Sequence, residues 1–464
     1  MLPMHLDTVA IHARGRIERT VPFWPTPAIE AAQRRRVRSM VRHAYDSVPF
    51  YREAMDERGL RPDDFAVAAD LARLPLIDAE VVQRQPSLFM ARDRGDSHAD
   101  VVCYTSGTSS GVRRRVSWDH AAVRGGFAQL ERAWPVVLRL AGETRAQLLL
   151  RDLIGEHRRE AALGAGRSGA SQRLVWISRP EPMARQQSLR RGRSDPYRNA
   201  EAVSPLLPLP EAARRIAELR PRILISFGSY ADHFLRYVAA APGEIPLPRV
   251  WAYTGDAVSA GARALAGERG CALWSSYNVT EVGRIGFQCE RTQGHHLNMD
   301  LTPVRLIDGK GDDVAPGHSG ELVVSNLRNR ALVLLNYRLG DVGVMAPARC
   351  PCGRTLPLLA ALHGRRSDLV DIGDGRKLPS LSLEGMLREE LRSVLKTQIA
   401  QTRPGAIRWR LVPNEGVDVA VLRTRVARRT RELLGDGVEV EVELLDDIPL
   451  GEGGKLQRVA GPAA

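Results

Sequence analysis

The chain has 464 residues, 44% hydrophobic and 26% charged, enough apolar content for a large core and enough length for two or more domains. No stretch approaches the roughly 20 apolar residues of a membrane-spanning helix, and the opening "MLPMHLDTVAIHARGRIERT" lacks the apolar core of a secretory signal, so a cytoplasmic location is expected and a membrane partner is not. The net charge of +13 invites nucleic acid as a partner, but only four of the 67 basic residues are lysine, and the arginines are spread without a basic tail, so the charge reads as an arginine-rich composition.

In chain order, "PAIEAAQRRRVRSMVRHAY" has helical periodicity, with Ile29, Val37, Met40, Val41 and Ala44 on one side. "VVCY" (Val101 to Tyr104) reads as a strand emptying into "TSGTSSG", followed at once by three arginines. Residues 141–210 are rich in Gly, Ser and Arg, and "GAGRSGASQR" and "RQQSLRRGRSDPYRN" are expected to be exposed loops. Next come a helix in "LPEAARRIAEL", strands in "RILISF" and "RVWAY", a helix in "SAGARALAGERG" stopped by Gly270, and strands in "CALWSS" and "GELVVSNL". This alternation predicts an α/β protein with mostly parallel sheets flanked by helices. After Asp368 the pattern changes: a helix in "LSLEGMLREELRSV", a strand in "IRWRLV", a helix in "VAVLRTRVARRTRELL" and a cleanly alternating strand in "VEVEVELL". The expected division is a large N-terminal domain, 1–367, and a small α+β domain, 368–464.

The "TSGTSSG" stretch behind a strand suits polyphosphate. Glycines admit a close backbone approach, exposed N–H groups form an anion nest and hydroxyls donate to phosphate oxygens. It is not a P-loop, because the spacing to a Gly-Lys-Ser/Thr end is absent. Further segments follow in order: "YNVTE" (Tyr277 to Glu281), "NYRLGD" (Asn336 to Asp341), "HGRRSD" (His363 to Asp368) and "IPLGEGGKLQR" (Ile448 to Arg458). With these the chain resembles the adenylate-forming superfamily of acyl-CoA synthetases and adenylation domains. It is most similar to the phenylacetate–CoA ligase branch, whose character also shows in "YDSVPFYREAMDERGLRPDDF" and "CPCGR". The resemblance runs from about Tyr45 to Arg458.

The resemblance implies an ATP-dependent ligase whose C-terminal domain is mobile and carries the catalytic lysine. Thr105, Ser106, Gly107, Thr108, Ser109 and Gly111 match the loop holding the β- and γ-phosphates, with Arg113 or Arg114 where the family has lysine. Thr280 matches the α-phosphate contact and Glu281 the Mg²⁺ ligand; read on their own, Thr-Glu would also suit a helix N-terminus. Tyr277, with Gly255 and Asp256 of "TGD", falls where adenine is sandwiched, and Asp341 where both ribose hydroxyls are taken; outside this context Asp341 is a turn aspartate. Arg365 precedes the hinge residue, Asp368. Lys455 matches the lysine that neutralises charge between the carboxylate and the α-phosphate; its bland reading is a solvated tail lysine. Ser226, Phe227, Ser229, Tyr230, Ala252, Asn278 and Val279 are expected to line the acyl pocket.

The implied reaction joins an aromatic or other small carboxylic acid to AMP, with release of pyrophosphate, and then passes the acyl group to CoA. An amine or a carrier-protein thiol is the alternative acceptor. An inactive homologue or a basic nucleic-acid-binding protein is the alternative of another class. The chain departs from the family at Asn278, where glycine is common, and after the hinge, where Gly373 and Gly375 are displaced from the glycine that lines the pantetheine tunnel. Adenylation is therefore better supported than thioester formation.

Five cysteines, an odd number, make no disulfide framework. Cys350 and Cys352 flank one proline, and Cys289 stands seven positions before His296, with His295 the alternative ligand. Such a set suits four-coordinate zinc, against the plain reading of cysteine as a small buried hydrophobe. Zinc at matching positions in the phenylacetate–CoA ligase branch implies a structural ion that staples the segment after "YNVTE" to the loop after "NYRLGD".

Overall fold

The computed structural model describes residues 3–92, 101–104, 115–143, 174–177, 201–241, 244–373, 375–435, 437–450 and 455–460. They group into two compact units. The first is drawn from Met1–Gly107, Gly111–Pro135 and Ser275–Arg366; the second from Val136–Trp274 and Ser367–Ala464.

In the first unit the helix Thr26–Ser47 buries Ile29, Val37, Met40, Val41 and Ala44, as the spacing predicts, and adds Ala32 and Ser47. Val48 then turns extended ahead of Pro49, which opens the helix Pro49–Asp56. The strands run in the order Val304–Ile307, Ser319–Val324, Tyr337–Met345, Leu358–Arg365, His295–Leu297, Gly283–Gln288 and Ala272–Val279, each antiparallel to its neighbour. Tight links such as the three residues between Val279 and Gly283 are too short for a crossover helix, so hairpins result. Buried Tyr51, Phe65, Phe89 and Tyr337 fill the core beneath them; Tyr51 donates to Val333 O (3.1 Å) and accepts from Leu335 N (2.8 Å). The strands Val101–Tyr104 and Arg115–Trp118, which flank the Thr/Ser/Gly stretch, pair antiparallel. Arg132, fully buried, is neutralised by Glu18 (2.6 Å) and Asp300 (2.7 Å), which ties the first helix, Pro3–Thr20, to this unit.

The second unit carries parallel strands in the order Val250–Thr254, Ile223–Phe227, Leu174–Ile177 and Glu201–Val203, with the helices Leu209–Leu219, Gly228–Ala240 and Ala260–Glu268. Ser259 caps the third helix by accepting from Ala262 N, and Gly270, at φ +66°, follows its end in a conformation that favours glycine. Leu174–Ile177 and Glu201–Val203 are strands that the sequence reading of 141–210 did not name. They span four and three residues, too short for a strand period to stand out in sequence. "GAGRSGASQR" and "RQQSLRRGRSDPYRN" lie outside the described residues.

The same unit holds a sheet ordered Glu439–Leu444, Ala406–Pro413, Val394–Ala400 and Val459–Ala460, packed with the helix Val419–Leu434 around Trp409. Val440 and Val442 face inward, while Glu441 and Glu443 pair across the strand with Arg408 (2.7 Å) and Arg410 (2.9 Å). The predicted helix "LSLEGMLREELRSV" is divided into the α-helix Ser380–Met386 and the 3₁₀ turn Glu390–Ser393. Gly385 weakens its middle, yet Leu383, Leu387 and Leu391 are all buried at helical spacing. The class is α/β, with parallel pairing concentrated in the second unit. No described helix is long and apolar enough to cross a membrane.

Candidate functional site

Thr280 and Glu281 form the tight turn between Ala272–Val279 and Gly283–Gln288, closed by Val282 N donating to Val279 O at 3.1 Å. They do not begin a helix. Gly283, at φ +86°, lets the chain reverse, and Trp118 Nε1 fixes the turn by donating to Thr280 O at 3.1 Å. The Glu281 side chain is buried.

Tyr277 lies on the strand leading into this turn and is buried. Its hydroxyl donates to Asp341 Oδ2 at 2.5 Å, and Arg365 Nε stands 3.1 Å from Asp341 Oδ1. Antiparallel register places Asp341 opposite Arg365, so the carboxylate and guanidinium meet because their strands pair. Burial, then the negative charge of Asp341, lifts the Tyr277 phenol well above its ordinary range, so it remains a donor. Asp341 in turn raises Arg365. Each Asp341 oxygen retains a second lone pair.

In the second unit Gly255, at φ +86°, and Asp256 follow the strand Val250–Thr254. Lys455 Nζ donates to Gly255 O at 3.0 Å and lies 5.0 Å from the centre of the Phe227 ring. A methyl group on Gly255 would sit 2.6 Å from Lys455 Nζ, so this approach favours glycine. Asp256 Oδ1 accepts from Ser229 N at 3.1 Å, while its buried Oδ2 has no hydrogen-bond partner among the described residues.

The lysine is positioned by its neighbours. Leu456 N donates to Ser229 Oγ at 3.4 Å, and Arg458 donates to Ala257 O at 2.8 Å while pairing with Glu384 (3.1 Å) and Asp232 (3.4 Å). Asp232 also takes Arg236 Nε at 2.9 Å and Ser259 N at 2.7 Å. Burial alone would raise Asp232, but the two guanidiniums hold it well below the usual carboxylate range; burial raises Glu384. Sequence reasoning missed Asp232, Arg236 and Glu384. Arg458 closes the "GGKLQR" segment, and no local pattern signals the acids it meets.

Of the expected pocket residues, Phe227 and Ser229 face the Lys455 segment. Ser226, Tyr230 and Ala252 are buried in packing: Ser226 Oγ accepts from Trp251 Nε1 at 2.8 Å, and the Tyr230 ring stacks on Phe234 at 6.1 Å. Asn278 and Val279 belong to the first unit, where Asn278 Oδ1 accepts from Ser276 Oγ at 2.9 Å. Asp368 ends the 3₁₀ turn Arg366–Asp368. Thr105, Ser106, Gly107, Thr108, Ser109, Gly111, Arg113 and Arg114 lie outside the described residues.

Cys289, His296, Cys350 and Cys352 converge, their ligand atoms all within 4.8 Å of one another. Cys289 Sγ to Cys350 Sγ is 3.7 Å, and Cys352 Sγ to His296 Nε2 is 3.3 Å. Sulfurs bound at about 2.3 Å in a tetrahedron stand about 3.8 Å apart, so the spacing fits zinc. His296 Nδ1 donates to Leu356 O at 3.1 Å, and burial keeps its ring neutral, so Nε2 presents its lone pair to the cluster. His295 instead meets Ser275 Oγ at 3.0 Å.

This arrangement of strands and helices is the fold of the adenylate-forming ligases. A 2-hydroxyisobutyryl-CoA ligase in the postadenylation state, in complex with 2-HIB-AMP, matches it with a TM-score of 0.69 and 18% identity over 95% of this chain and 90% of that one. ATP-bound MatB from Rhodopseudomonas palustris matches with a TM-score of 0.52 and 13% identity over 77% and 66%. In sequence the chain is homologous to the phenylacetate-coenzyme A ligase of Thermus thermophilus, 25% identical over 470 residues that cover 94% of this chain and 97% of that protein. No family profile matches the chain.

Proposed function

We propose that the chain is an AMP-forming carboxylic acid–CoA ligase. The reaction joins the acid to the α-phosphate of ATP, releases pyrophosphate and passes the acyl group to the CoA thiol. Similarity to a phenylacetate-coenzyme A ligase along nearly the whole chain supports this reading and favours an aromatic or other small acid. The observation that carries it is Lys455. One of four lysines, it is brought to the carbonyl of Gly255 in the "TGD" segment by an anchored stretch of chain.

In this reading the Asp341 carboxylate takes the ribose hydroxyls, oriented by Tyr277 and Arg365, and the Thr280 hydroxyl contacts the α-phosphate. As the acid attacks, the Lys455 ammonium meets the charge shared between carboxylate and phosphate; a slender point charge can follow it. Glu281 offers the hard oxygen suited to Mg²⁺, which when bound neutralises phosphate charge. Thr105 to Gly111 and Arg113 grip the β- and γ-phosphates. The C-terminal segment turns at Asp368 to withdraw Lys455 before acyl transfer. Cys289, His296, Cys350 and Cys352 hold a structural zinc.

Carboxylate-dependent ATP–pyrophosphate exchange tests the proposal. Exchange is expected from the parent chain with some member of a panel of small acids and should be abolished by Lys455→Ala. Near-normal exchange in the variant would overturn the assignment. Replacing CoA with amines in the second step separates the thioester reading from an amide synthetase.

A further inference from the structure

Four buried charges join the helix Gly228–Ala240 to the C-terminal segment, and they fall into two pairs. Asp232 and Arg236 stand one turn apart on that helix, with Arg236 Nε donating to Asp232 Oδ1 at 2.9 Å. Glu384 and Arg458 both belong to the segment after Asp368. Arg458 Nη1 lies 3.1 and 3.2 Å from the two Glu384 oxygens, and Thr397 of the same segment hydrogen-bonds Glu384. The contact between the pairs, Arg458 Nη2 to Asp232 Oδ2, is longer at 3.4 Å.

The other guanidinium donors reach across to main-chain oxygens of the opposite side. Arg236 Nη1 donates to Leu391 O at 2.8 Å and to Val394 O at 3.2 Å, at the 3₁₀ turn Glu390–Ser393. Arg458 Nη2 donates to Ala257 O at 2.8 Å, one residue past Asp256. The pair Arg392–Glu268 (3.3 Å) also crosses, but both side chains are more than half exposed, where such pairs add little.

Parting the two sides strands none of the four charges. Asp232 keeps Arg236, Glu384 keeps Arg458, and the hydrogen bonds lost are to neutral carbonyls that water can satisfy. Breaking a buried ion pair is costly, whereas a pair that moves whole leaves no uncompensated charge behind. A fixed core has no use for such a division; a joint that opens in each turnover does. We infer that Arg236 and Arg458 are positioning residues of a reversible latch. They hold the C-terminal segment where Lys455 meets Gly255 for adenylate formation, and let it go as two neutral halves for acyl transfer. The inference rests on the proposed withdrawal of Lys455 between the two half-reactions.

The full chain is tested by pulsed electron–electron distance measurement, with spin labels on keto amino acids introduced at Ala264 and Arg423. Both positions are exposed, on the helices Ala260–Glu268 and Val419–Leu434, and this labelling leaves the cysteines untouched. Arg236→Lys keeps the charge beside Asp232 but removes the fork that spans Leu391 and Val394. Asp232→Asn/Arg236→Gln removes one neutral pair whole. Both variants should lower the ratio of latched to unlatched label distances by about tenfold or more, the scale of a charged hydrogen bond. Pyrophosphate exchange with the best acid of the panel, phenylacetate included, should fall with that ratio. Thioester formation from that acid's adenylate and CoA should stay within about twofold. Asp232→Asn alone leaves the cluster with excess positive charge and should melt below the double variant. Label distances shared by the parent and both variants overturn the latch. So does an equal fall in both half-reactions, or a double variant that melts as low as Asp232→Asn, the mark of a fixed core. Exchange by the parent with unmoved labels removes the latch and leaves the ligase reading standing. Shifted label distances without exchange for any acid sustain the latch and remove the ligase reading instead.

Discussion

His233, on the helix Gly228–Ala240, is buried beside Asp232, and burial pushes it down to about 3 even though the Asp232 charge works the other way. An unfolded histidine takes its proton near pH 6.5, so the unfolded chain binds more protons than the folded one between pH 6.5 and 3. Stability from this group is therefore complete above pH 6.5 and drains as pH falls, at up to about 1.4 kcal/mol per pH unit. His233→Gln should flatten the decline of melting temperature from pH 7 to 4; parallel declines in parent and variant would count against it. At this scale the sequence reveals residues whose chemistry demands one type. Lys455 stands out because lysine is rare here, and Asp341 because "NYRLGD" is distinctive. Asp232 and Glu384 stay hidden, because their partner Arg458 lies 226 and 74 positions away.

Elements follow the same division. The helix Val419–Leu434 and the strand Glu439–Leu444 carry their full period in sequence and form as predicted. The turn at Thr280 has a composition that suits a helix start as well, and antiparallel pairing of its flanking strands decides between the two. The cysteine cluster joins the end of the strand Gly283–Gln288, the strand His295–Leu297 and the turn ahead of Leu358–Arg365, an attachment between elements far apart in sequence. Burial pushes the Cys289 thiol up to about 12, and a bound cation would displace its proton. Purified protein is expected to carry about one zinc per chain, and chelation should lower its melting temperature while exchange assayed in the cold persists. Loss of exchange without a change in melting would make the ion catalytic instead.

Across the molecule, the proposed two-step reaction requires the segment after Asp368 to take two positions. Asp368→Pro would fix φ near −65° at the turn Arg366–Asp368. Pyrophosphate exchange should survive in this variant while thioester formation falls by about tenfold or more; an equal fall in both half-reactions would remove the hinge from the mechanism. The compact division also changes at Arg366 and Ser367, but it groups the C-terminal residues with those of Val136–Trp274. Contacts such as Lys455 to Gly255 and Arg458 to Asp232 create that grouping, and composition along the chain carries no trace of them.

The sequence by itself determined the α/β class, the helices and strands with the clearest period, the order of the motifs and the cysteine–histidine set. These depend on local periodicity and on residue types that the chemistry cannot exchange. Only the tertiary structure decided which carboxylates pair with Arg458 and that Tyr277 and Arg365 orient Asp341. Such pairings are set by strand register and by burial far along the chain, where one residue's neighbours are chosen by the packing of all the others.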